Sequence, residues 1–83
     1  MRYTIVIPEK VQKDLERVDH RYKPRILAAL ASLASNPFAH KKLHGAYQDQ
    51  RSYEVYPYRI IYQIRDKELI VLIIRIGHRQ GVY

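Results

Sequence analysis

The alternation of apolar and polar positions divides the chain into a strand, two helices and three further strands. Residues 2–7, Arg-Tyr-Thr-Ile-Val-Ile, are β-branched and aromatic, and Pro8 stops the run. Pro8 also suits a helix's first turn, where its missing N–H is no loss, and Glu9 complements the helix dipole just after it. Val11, Leu15 and Val18 follow at i, i+4 and i+7, predicting an amphipathic helix that ends near Asp19. Pro24 would break a helix interior, so the second helix is expected to start at Tyr22 or Lys23. Its buried face is Ile26, Leu30 and Leu33, with Leu27 and Ala34 alongside, and the alanines at 28, 29, 31 and 34 permit close packing on the first helix. Asn36-Pro37 ends it, because a residue before proline is pushed out of the α region.

From Arg51 the period becomes two. Tyr53 and Val55 share one face, with Ser52, Glu54 and Tyr56 on the other; Tyr58, Ile60, Tyr62 and Ile64 then alternate with Arg59, Ile61, Gln63 and Arg65. Tyr56-Pro57 marks a turn or bulge between two antiparallel strands, and Arg65-Asp-Lys-Glu68 a charged hairpin turn. Leu69–Ile76 is apolar except at Arg75, which predicts a strand buried on both faces in the middle of the sheet. The order β-α-α-β-β-β is that of one α+β domain over residues 1–83, an antiparallel helix pair packed on one face of a small antiparallel sheet.

Composition narrows the classes. The chain has no cysteine, so a disulfide framework and cysteine-ligated zinc are excluded. The apolar run Leu69–Ile74 is far too short to cross a bilayer, and no signal peptide precedes Arg2, so a cytoplasmic protein is expected. A net charge of +7 fits either an anionic partner, nucleic acid or acidic protein, or a solvated basic surface. Lys and Arg exceed Asp and Glu by nine to four up to residue 45 and by six to four after it, so charge alone does not locate a site. His40 and His44 are four apart, a metal-ligand spacing if helical, but no nearby Asp, Glu or Cys completes a shell and no metal is expected. The segment reads as a basic connector whose Lys41 and Lys42 serve either phosphate or solvent.

If the helices cover the Tyr53 and Tyr58 face, the opposite face presents Glu54, Tyr56, Arg59, Arg75 and, past the last strand, His78, Arg79 and Tyr83. Strict alternation also puts Ile61, Val71 and Ile73 there, an apolar groove that something should occupy. Arginines beside a carboxylate, an imidazole and aromatic rings can break an RNA phosphodiester without metal. The 2′-hydroxyl loses a proton, charge grows on the phosphoryl oxygens, and the departing 5′-oxygen gains a proton. The plainer reading of Glu54 is an ion pair with Arg59 or Arg51 across the hairpin, and of His78 an ordinary exposed histidine.

Lys42-Leu43-His44-Gly45, then Tyr58-Arg-Ile-Ile-Tyr-Gln-Ile64 and a charged turn, then Ile76-Gly77-His78-Arg79 and Val82-Tyr83 resemble the RelE/ParE toxin superfamily, and its RelE branch in particular. Asn36-Pro37 and the first helix also match, so the likeness spans essentially the whole chain. The resemblance implies a RelE-like fold and an mRNA interferase, a ribosome-dependent endoribonuclease that cleaves mRNA in the A site by 2′-hydroxyl attack and so inhibits translation. It implies no cofactor. Its partners would be a cognate RelB-like antitoxin, the ribosome and mRNA, with operator DNA reached only through the toxin–antitoxin complex and no membrane. By position, Arg59 is similar to the family's phosphate-stabilising strand arginine, Arg79 to the arginine at the leaving group, and Tyr83 to the ring that stacks on mRNA. Arg51, Tyr56, Arg75, Lys41 and Lys42 are the candidate RNA contacts. Where RelE-like toxins usually carry two basic residues, this chain has Ser52 and Glu54. Either Glu54 is the base, with His78 or Arg79 as acid, or the site is weakened and acts by binding alone. A ParE-like inhibitor of DNA gyrase is the rival from another class.

Overall fold

The computed structural model describes residues 2–47 and 49–80. Strands β1 (Thr4–Val6), β2 (Lys41–Lys42), β3 (Arg51–Val55), β4 (Tyr58–Arg65) and β5 (Ile70–His78) form one sheet in the order β1-β5-β4-β3-β2. Helices α1 (Glu9–Glu16) and α2 (Lys23–Leu33) supply Val11, Ile26, Leu30 and Leu33 to a core completed by Val55, Ile60, Tyr62, Val71, Ile73 and Ile76. Both helices therefore cover the same face of the sheet, as the alternation predicts. Pro8 sits at the N-cap of α1, its carbonyl accepting the Val11 and Gln12 N–H groups at 2.9 Å, and Pro24 lies in the first turn of α2.

Four features depart from the sequence reading. First, the sheet is mixed, because β1 runs parallel to β5. The hairpins linking β3, β4 and β5 force antiparallel pairing, whereas the helical crossover after β1 permits a parallel return. Second, the basic connector contains a strand: Lys41 and Lys42 pair with Ser52 and Arg51 and close one edge with two exposed lysines, which discourage further strand addition. Third, β5 is interior but not central; β4 holds the middle. Fourth, α1 ends at Glu16 rather than Asp19, and on α2 Leu27, Ala28 and Ala31 face solvent while Ala29 and Ala34 are buried.

The apolar groove of the open face is also rearranged. Ile61 pairs with Arg75 but its neighbour Tyr62 pairs with Ile73, so Ile74 is an extra residue in β5. Such a bulge shifts the phase of alternation by one. Val71 and Ile73, expected on the open face by counting back from Arg75, therefore point under the helices and are fully buried. Ile61 does lie on the open face, where it packs with Leu43 and Ile74 in a small second cluster.

Tyr62 anchors the core. Its ring is completely buried and its hydroxyl donates to the buried Pro37 carbonyl at 2.6 Å; burial pushes its pKa up to about 12. Phenylalanine at this position would leave that carbonyl without its donor. Tyr62→Phe is expected to destabilise the fold by about 1–2 kcal/mol, read as a lower urea midpoint at unchanged slope.

Candidate active site

The β3–β4 hairpin sets the site. Its register places Glu54 directly opposite Arg59, on the face away from the helices. On the other side of β4, Arg59 faces Gly77, which brings no side chain to crowd the guanidinium. Arg59 Nη2 lies 3.5 Å from Glu54 Oε1. Beyond β5 the backbone N–H of Arg79 donates to the Pro57 carbonyl at 2.9 Å, which carries Arg79 back over the hairpin turn. Its Nη1 reaches to 3.9 Å from Glu54 Oε2, and its guanidinium lies over the Tyr56 ring, 5.3 Å from the centroid. One carboxylate thus stands between two guanidinium groups, with an aromatic ring beneath one of them. Both ion pairs are longer than a good charge-assisted hydrogen bond.

The remaining candidates separate by face. His78 pairs with Tyr58, and their rings meet edge to face at 6.0 Å, on the helix side of the sheet. It lines a groove there with Asp14, Arg17 and Ile76. The register thus puts His78 and Glu54 on opposite faces, so they do not form a carboxylate–imidazole pair. Arg75, opposite Ile61, and Lys41, opposite Ser52, belong to the open face; Arg51 and Lys42 are paired in register on the helix side. Arg51 is occupied there, donating to the His40 and Phe38 carbonyls at 3.0 and 3.3 Å. Tyr56 is 63% exposed. Tyr83, the proposed stacking ring, lies outside the described residues.

Similarity to known proteins spans nearly the whole chain. The family of ParE toxins of type II toxin-antitoxin systems, parDE, matches residues 5–83. The chain belongs to that family. It is 29% identical to the toxin RelG of Mycobacterium tuberculosis over 93 aligned positions, covering all of this chain and 98% of that one. Its fold superposes on the toxin–antitoxin complex RelBE2 of Mycobacterium tuberculosis with a TM-score of 0.86 at 26% identity, covering 95% of this chain and all of that one. The archaeal RelE–RelB complex of Pyrococcus horikoshii matches with a TM-score of 0.78 at 25% identity, covering 98% and 99%. This protein is therefore a type II toxin of the RelE/ParE superfamily.

In this toxin several groups that shape the site carry no local sequence signal. Arg25 of α2 reaches the Tyr56 carbonyl with Nη1 at 3.4 Å, and the Asp14 carboxylate accepts the Ile76 N–H at 3.2 Å where β1 no longer covers the edge of β5. Both contacts span more than thirty residues, so spacing could not have shown them. Ser52 is buried on the open face, whereas Glu54 is exposed.

His40 and His44 do not share a helical face, because the segment between them is strand and loop. Among the described residues no group of three or more His, Cys, Asp or Glu side chains could hold a metal ion. The His40 ring instead stacks on Tyr53, centroids 3.6 Å apart and planes 13° from parallel. Burial, and then the Arg51 charge, push the His40 pKa below its ordinary value. The unfolded chain therefore binds this proton more readily than the native toxin. The stability contributed by neutral His40 is complete above about pH 6.5 and is lost as pH falls through the ordinary histidine range. Urea midpoints measured between about pH 7.5 and pH 5 are expected to fall for the wild type and to fall less for His40→Phe, which keeps the stack without the titrating group.

Proposed function

We propose that this toxin is a ribosome-dependent endoribonuclease that cleaves mRNA in the A site by metal-free 2′-hydroxyl attack, held inactive by a RelB-like antitoxin. The observation that carries this reading is the Glu54 carboxylate set between Arg59 and Arg79 on the open face. A phosphodiester entering this face can accept shorter, two-pronged hydrogen bonds from the guanidinium groups in place of the long contacts they make with Glu54. Glu54 is then released to take the 2′-hydroxyl proton. The 2′-oxygen bonds to phosphorus, and Arg59 and Arg79 share the negative charge that grows on the phosphoryl oxygens. The bond from phosphorus to the 5′-oxygen breaks, that oxygen takes a proton from water while Arg79 stabilises it, and a 2′,3′-cyclic phosphate remains. His78 has no part in this scheme, because it lies across the sheet from Glu54. The basic residues Lys41 and Arg75 border the same face and serve the RNA strand, which is consistent with a net charge of +7.

Primer extension on a defined mRNA in a reconstituted translation reaction tests the reading. Cuts at A-site codons are expected only when ribosomes are present. Arg79→Ala is expected to reduce them on the order of 100-fold or more, and Glu54→Gln by a similar factor, with both variants folded. Normal rates from Glu54→Gln would remove that residue as the base. No cuts at all from folded, antitoxin-free protein would overturn the reading and favour inhibition of DNA gyrase by binding.

A further inference from the structure

The two arginines of the site are held very differently. Arg59 sits inside β4, paired on both sides, with a side chain only 22% exposed. Arg79 follows the end of β5, where no ladder fixes it, and its side chain is 41% exposed. Its ion pair with Glu54, 3.9 Å long and itself 47% exposed on the carboxylate side, is of the kind that water screens and side-chain entropy opposes. A flexible guanidinium with four rotatable bonds needs something else to present it in one orientation.

We propose that Tyr56 is a positioning residue for Arg79, its ring serving as the platform over which the guanidinium is held beside Glu54. The face of an aromatic ring attracts a cation, and a planar guanidinium stacks on it. The ring lies within that range, 5.3 Å from the guanidinium carbon. The backbone builds the arrangement: the Arg79 N–H is bonded to the Pro57 carbonyl, and Arg25 reaches the Tyr56 carbonyl from α2. Turn and arginine backbones are thereby tied together, which brings the Arg79 side chain within reach of the Tyr56 ring. The core makes little use of this ring, which is 63% exposed, so packing does not account for a large aromatic side chain at the tip of the turn. A misplaced Arg79 would weaken stabilisation of the leaving oxygen rather than capture of the RNA, so the effect belongs in kcat and not in KM.

This role rests on the cleavage proposed above, and the test keeps the two apart by including a readout in the free toxin. The Arg79 side-chain Nε–Hε resonance is recorded by NMR in the wild type, Tyr56→Phe and Tyr56→Leu, and ribosome-dependent cleavage is measured on the same proteins. The expected result is a ring-shifted, motionally restricted Arg79 signal in the wild type and Tyr56→Phe that is lost in Tyr56→Leu. With it, kcat should fall about fivefold in Tyr56→Leu at unchanged KM, recover with Phe, and fall no further when Tyr56→Leu is added to Arg79→Ala. An Arg79 signal identical in wild type and Tyr56→Leu would overturn the proposal, whatever the activity. So would a loss confined to KM, which would make Tyr56 a direct RNA contact. If none of the proteins cleaves RNA, the cleavage reading fails while the spectra still decide whether Tyr56 positions Arg79.

Discussion

β4 is hydrogen-bonded to β3 on one side and β5 on the other, and its alternation decides where every other group of interest sits. Tyr58, Ile60 and Tyr62 go under the helices, and Arg59 and Ile61 go to the opposite face. A one-residue slip would exchange the two sets and bury a guanidinium in an apolar core, at a cost of several kcal/mol. The packing that stabilises the domain is thus the same constraint that fixes Arg59 on the open face beside Glu54. Glu54 needs no separate device, because pairing with Arg59 follows from the hairpin register.

Where the physics is local, the sequence disclosed it. Pro8 and Pro24 marked the helix starts, and the Tyr53/Val55 and Tyr58/Ile60/Tyr62 alternation correctly named the covered face. The convergence of Glu54, Arg59 and Arg79 was legible as far as the first two, which oppose each other in one hairpin. What escaped was governed by partners distant in the chain. No local pattern says that β1 returns parallel to β5, that Lys41 and Lys42 close an edge, or that Ile74 is supernumerary. The bulge also explains why Val71 and Ile73 were assigned to the wrong face: counting residues assumes an unbroken pleat. His78 follows the strand that contains it, and its cross-strand neighbour is a core tyrosine rather than the groove carboxylate.

The basic charge of the toxin is distributed for more than one purpose. Arg21 is spent on Asp19, whose carboxyl it holds down at about 2 through side-chain and backbone hydrogen bonds, and Arg51 ties the loop at Phe38 and His40 to β3. Arg25 supports the Tyr56 turn. These residues still add to the positive field of a domain with net charge +7. Two cations are placed against Glu54, Arg59 by strand register and Arg79 by its backbone bond to Pro57, and Glu54 supplies their local counter-charge.

Ile74 gives β5 two phases within one strand. Upstream, even-numbered residues face outward and odd-numbered ones face the core; downstream, Arg75 faces outward and Ile76 inward. The half that answers to the hydrophobic interior and the half that leads to Arg79 can therefore drift in composition independently, each keeping its own side. Loss of Ile74 alone would merge the phases into one unbroken alternation, with Ile73 inward, Arg75 outward and Ile76 inward still opposite Tyr62, Ile61 and Ile60. A point deletion at the bulge would then take from the domain the Ile74 contact with Leu43 and Ile61, and leave the interior and the rim each on its own side.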